Sequence, residues 1–172
     1  MLDLWWLADG LPAITPAFGQ HLAEAGAVCL ESQGHQPGRE LLVQGLRKEH
    51  HPLHWPPVTD QILRCHNDPD VATEHGAVGI AILLTRAMIG YTVIQRSRRG
   101  TGFDYWLGDA TSVPFQNKAR LEVSGIRNGD DKAINSRATG KLKQTEQSDA
   151  SELPAYVVVV EFGRPVADVR HR

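Results

Sequence analysis

Asp68-Pro69-Asp70-Val71-Ala72-Thr73-Glu74-His75-Gly76-Ala77-Val78-Gly79-Ile80-Ala81-Ile82-Leu83-Leu84-Thr85 begins with a strong helix start. Asp68 is suited to accept from the first free amides, and Pro69 fits the first helical position, where no amide hydrogen is needed. The spacing predicts a helix from there to about Ile89, with Gly90 ending it. Residues 77–84 are apolar on every side, which marks a central helix with no solvent face.

Strand signals follow. Tyr91–Ser97 alternates, Arg98–Gly102 reads as a turn and Phe103–Leu107 as a second strand. Gly108–Lys118 is a polar loop containing Pro114, and Ala119–Ser124 is a third strand. Asp130–Gln147 has Ile134, Ala138 and Leu142 in line and reads as a helix, weakened by Gly140. Ala155–Val160 is continuously apolar, the pattern of a strand covered on both faces, and Val166–Val169 adds an expected edge. Helix, strand, strand, strand, helix, strand implies an α/β fold: a mixed sheet flanked by helices.

Toward the N-terminus the pattern is less regular. Leu2, Leu4, Trp5, Trp6 and Leu7 show no clean period and suggest an irregular cover. A helix is expected over Pro16–Ser32, with Phe18, Leu22, Ala25 and Cys29 on one face and Gly34 beyond its end. Glu40–Gly45 suits a short strand or a helical turn, and Pro52, Pro56 and Pro57 mark a loop. The expected organisation is an extension, residues 1–65, packing on a core, residues 66–172, as one compact domain.

At 172 residues, 41% hydrophobic and 22% charged, the composition is that of a globular chain. The longest nearly uncharged run, Gly76–Thr85, is about half of a bilayer span. The start has an early acid and no basic region, unlike a signal peptide, so a cytoplasmic protein without a membrane anchor is expected. Net charge is −2, with five Lys/Arg against ten Asp/Glu in residues 1–90 and thirteen against ten afterwards. That asymmetry is compatible with a local basic surface around an acidic site.

Period-two geometry puts Asp104 on the face opposite Phe103, Tyr105 and Leu107. It groups Arg120, Glu122 and Ser124 opposite Ala119, Leu121 and Val123. Paired as a hairpin, these strands bring Asp104 and Glu122 together. Two adjoining carboxylates repel, and a divalent cation with oxygen ligands, Mg²⁺ or Mn²⁺, resolves that repulsion and can activate a water. Glu74 falls on the stripe of Ala77, Val78, Ala81 and Met88, so it needs a cation, a hydrogen-bond partner or a route to water.

Glu74 early in a helix, then Gly90-Tyr91-Thr92-Val93-Ile94, Gly102-Phe103-Asp104-Tyr105-Trp106 and Leu121-Glu122-Val123-Ser124 on successive strands: this order resembles the PD-(D/E)xK nucleases, the group that includes restriction endonucleases and archaeal Holliday-junction resolvases. The resemblance covers residues 70–162. It implies a restriction-endonuclease-like core and a metal-dependent endonuclease acting on DNA phosphodiesters. Asp104, Glu122 and Glu74 would be metal ligands or their supports, and small nucleases of this kind commonly act as dimers. Two departures stand out. Phe103 occupies the proline position, and Ser124 stands where a catalytic lysine belongs. Lys141, Lys143 or Lys132 on the following helix, or Arg120 on the strand, are the candidates to supply the missing charge. Without one, the chain would be an inactive nuclease fold serving as a subunit of a larger complex.

Arg96, Arg98 and Arg99, in the turn before Asp104, suit phosphate contacts, as does Arg120. His50-His51-Pro52-Leu53-His54 reads as a surface loop, since no second spaced pair completes a zinc set. His75 is expected to face away from Glu74, Trp5 and Trp6 to serve as core or an interface anchor, and Cys29 and Cys65 to be reduced.

Overall fold

The computed structural model describes all residues, 1–172. In chain order the elements are β1 (Leu2–Asp3), a 3₁₀ helix (Leu4–Asp9), α1 (Pro16–Ser32), β2 (Arg39–Gly45), β3 (Glu49–His54) and α2 (Asp60–Cys65). Then come α3 (Pro69–Ile89), β4 (Thr92–Arg96), β5 (Tyr105–Gly108), β6 (Ala119–Ile126), α4 (Asp131–Gln144), a 3₁₀ turn (Thr145–Ser151), β7 (Ala155–Glu161) and β8 (Val166–His171).

Local chemistry explains the two long helices. Thr15 accepts from the Phe18 amide with Pro16 at the first position of α1, and Asp68 accepts from the Asp70 and Val71 amides with Pro69 opening α3. Gly90, at φ +81°, takes the left-handed conformation that ends α3. From Gly76 to Thr85 every residue of α3 except Val78 is buried. Gly26 of α1 and Gly76 of α3 meet where the two helices cross. A Cβ on Gly76 would stand 2.8 Å from the Gly26 Cα, so that close approach depends on glycine.

Eight strands form one mixed sheet in the order β1-β3-β2-β8-β7-β6-β5-β4. Val158 and Val160 of β7 join the core with α1 and α3, whereas Val157 and Val159 pack with Ile134 and Ala138 of α4. The sheet is therefore covered on both faces, as the apolar run of β7 requires.

Several expectations change. Val166–Val169 is no edge: β8 pairs antiparallel with β7 and parallel with β2, which joins the first three strands to the rest. Glu40–Gly45 is a strand. His50-His51-Pro52-Leu53-His54 lies within β3, not in a loop, with Pro52 opposite Glu40 of β2. The irregular cover includes β1 and a 3₁₀ helix whose Leu4 and Leu7 are fully buried, while Trp5 and Trp6 stay about half exposed, at 49% and 44%. The short helix α2 lies outside the expected elements, with Thr59 accepting from the Ile62 amide at its start. The helical run expected over Asp130–Gln147 leaves α-geometry at Gln144 and continues as the 3₁₀ turn.

At its far edge, β4 carries a bulge between Val93 and Gln95, and the Val93 carbonyl accepts from the Ala13 amide of the N-terminal segment. No helix is long and apolar enough to cross a membrane.

Candidate carboxylate site

β5 and β6 are antiparallel, with Tyr105 opposite Leu121 and Trp106 opposite Arg120. Extended by one residue, that register sets Asp104 across from Glu122, on the face that α4 covers. The Asp104 amide donates to the Leu121 carbonyl (2.8 Å), and its Oδ2 accepts from the Val123 amide (2.8 Å). These bonds hold the Asp104 carboxyl on the same face as that of Glu122.

Glu122 has a side chain only 3% exposed, and its Oε1 accepts from Lys141 Nζ at 2.5 Å and from Gln144 Nε2 at 3.0 Å. Burial pushes Glu122 up to about 7, with the Asp104 charge adding to the shift and Lys141 opposing it. Burial also raises Asp104, against the Val123 amide and the Lys141 charge. The other buried acids are answered differently. Glu161 accepts the backbone amides of Gly129, Gly163 and Arg164, and Asp168 receives the Arg170 guanidinium. Only Asp104 and Glu122 face each other.

The pair opens onto a cavity of about 710 Å³ at the end of the sheet where β4 and β6 finish and β5 begins. Glu74, Arg96, Ser124, Arg137 and Lys141 also line it. The first turns of α3 reach the cavity by crossing β6 at Gly125, where a Cβ would stand 2.4 Å from the Thr73 carbonyl oxygen. Glu74 is exposed to the cavity and not part of the core stripe, although its neighbours Ala72 and Thr73 are buried. A route to water is how its charge is accommodated. His75, expected to face away from Glu74, lines the same cavity.

No family model, curated protein or solved structure matches the chain. The chemistry of the site therefore rests on its own side chains.

Ser124 Oγ accepts from Arg137 Nη1 at 2.8 Å, so a guanidinium stands at the strand position that lacks lysine. Of the lysines considered on α4, Lys141 reaches Glu122, whereas Lys132 and Lys143 are exposed and outside the cavity. Arg120 is unsuited to phosphate contact. It is 3% exposed, and its guanidinium donates to the carbonyls of Thr145 and Leu153, to Ser148 Oγ and to Asp149 Oδ1. Its place on the Glu122 face is real, but it points along the strand and pins the 3₁₀ turn. Arg96 lines the cavity and stands 5.6 Å from the Tyr105 ring centroid, while Arg98 and Arg99 project from the hairpin turn.

Arg137 and Gln144 went unrecognised in the sequence. With Lys141 they follow i, i+4, i+7 spacing beside the buried Ile134–Ala138 stripe, a signal that could have marked one functional face.

No three His, Cys, Asp or Glu side chains surround a common point. Two adjoining carboxylates beside open volume nevertheless suit Mg²⁺, which keeps several waters and needs only one or two carboxylates from the protein.

Proposed function

We propose that the chain has a restriction-endonuclease-like core and is a metal-dependent nuclease-fold protein acting on DNA phosphodiesters. The observation that carries this reading is the Lys141 ammonium on Glu122 Oε1, beside Asp104 in an open cavity. Lys141 of α4 would take the lysine role that Ser124 cannot fill, because a hydroxyl supplies no positive charge. Asp104 and Glu122 would hold Mg²⁺ or Mn²⁺, and Glu74 would assist through water from across the cavity. Such an ion supplies an oriented water of lowered pKa and offsets charge developing on the phosphate.

The residues divide the remaining work. Glu122 ionises near neutrality and so becomes a ligand as pH rises through about 7. Lys141, which lies against Glu122 Oε1, would be placed to orient the attacking water and stabilise the anionic transition state. The water oxygen would form a bond to phosphorus as it gives up one proton to solvent, the opposite P–O bond would break, and the departing oxygen would take up a proton from solvent. Arg96 and Arg137 favour binding of the phosphate at the cavity.

The second reading is an inactive nuclease fold acting as a binding subunit. The tie of Ser124 to Arg137 and the net charge of −2 favour it. Calorimetric titration with Mg²⁺ or Mn²⁺ combined with plasmid nicking separates the two. Wild type should bind and nick, and Glu122→Gln and Asp104→Asn should each abolish nicking. Nicking that survives both changes would sink the catalytic assignment, and neither binding nor nicking would favour the subunit.

A further inference from the structure

On the α1–α3 side of the same cavity, three imidazoles meet where α1, α2 and α3 converge. His21 Nε2 lies 2.8 Å from His75 Nδ1, and the His66 ring centroid lies 4.8 Å from that of His21. Glu24, one turn beyond His21 on α1, brings its Oε2 to 3.5 Å from His66 Nε2. Phe18 stacks on His21 and meets His75 edge-on, giving the cluster an apolar flank.

The decisive atom is His66 Nε2. Its side chain is 2% exposed and this nitrogen has no hydrogen-bond partner, the Glu24 oxygen being too poorly placed to serve. A buried nitrogen without a partner is unfavourable unless something else occupies it. Hydrogen bonds do not explain the arrangement, because one His21–His75 contact is all that the three rings form among themselves.

We propose that His21, His66 and His75, with Glu24, bind a transition-metal ion of the Zn²⁺ class. Three imidazoles and a carboxylate match the donor preference of zinc, and hard Mg²⁺ would not compete for them. The donors do not yet surround one point. Two nitrogens on a tetrahedral zinc stand about 3.3 Å apart, so the His21–His75 pair must open by roughly half an ångström, a modest change of side-chain torsion. An ion there would clamp α1, the end of α2 and the start of α3. That placement does not depend on whether the neighbouring carboxylates cut DNA.

Zn²⁺ calorimetry on the full chain tests this, with Co²⁺ absorption as a second readout. Wild type should bind one Zn²⁺ and give the visible bands of tetrahedral Co²⁺. His21→Ala, His66→Gln and His75→Ala should each weaken Zn²⁺ binding by roughly tenfold or more, and Asp104→Asn should leave it unchanged. Circular dichroism checks folding; if His66→Gln unfolds, the half-buried His21 and His75 variants carry the test. Absence of Zn²⁺ binding by wild type, or binding that survives His21→Ala and His75→Ala, would overturn the proposal. Loss of binding in Asp104→Asn would also overturn it, by assigning the ion to the carboxylates.

Discussion

At pH 5 the Glu122 carboxyl carries a proton, and at pH 8 it carries a charge that its surroundings disfavour despite Lys141. Its folded pKa, raised from 4.5 to about 7, makes the sign definite. The folded state binds the proton more tightly than the unfolded chain, so this group favours folding at low pH. Stability falls as pH rises from about 4.5 through about 7. Urea titrations should show that decline in wild type and a flatter profile in Glu122→Gln. Metal affinity should move the opposite way, weakening below about pH 7 as protons displace the cation, which calorimetry across pH 6–8 checks. Lys141→Met should shift the midpoint of that metal-binding profile upward, because the cation opposing Glu122 protonation is gone, and should abolish nicking. The pairing of Asp104 with Glu122 was legible in the sequence, since strand alternation is local. Which basic residue answers them was not. Lys141, Lys143 and Lys132 share a helix, and only the rotation of α4 on the sheet selects Lys141.

Among elements, the crossing of α1 and α3 gives a graded expectation. Gly76→Ala drives a methyl against the Gly26 backbone, which cannot yield, whereas Gly26→Ala meets first the Leu4 Cδ1, the end of a flexible side chain. Gly76→Ala should therefore be the more damaging, by about 1–3 kcal/mol in the unfolding free energy from urea titration, even after the helix-propensity gain of alanine. Arg120→Met should cost about 2–4 kcal/mol, because the Thr145 and Leu153 carbonyls lose a charged donor. It should leave DNA binding, measured by fluorescence anisotropy, unchanged. The helices α1 and α3 could be delimited in advance, because Thr15-Pro16, Asp68-Pro69 and Gly90 act through neighbouring amides. The strand β8 could not be placed, because its pairing with β2 joins residues over a hundred positions apart and leaves no local trace. Glu74 was misassigned for a related reason: a helical stripe does not reveal that a cavity opens beside the first turns of α3.

For the whole molecule, the first three strands complete the sheet through β2 and β8, and Leu4 and Leu7 fill the far side of α3. Residues 66–172 expressed alone would lose the cover of α3 and unpair one side of β8. That fragment should aggregate or lack the sharp unfolding transition of the full chain, as judged by chromatography and circular dichroism.

The bulge in β4 and its bond to Ala13 bear on how the protein behaves in crowded solution. A sheet with two free sides invites a neighbouring copy to zip on, chain after chain, toward fibrils. One side here ends in β1, only two residues long, and the other in a kinked strand that offers Arg96 to the intruder. Shelf life at high concentration should depend on these few atoms. Replacing Ala13 with proline removes the amide that occupies Val93, and light scattering over days should then reveal growing assemblies while fresh protein still melts near the wild-type temperature.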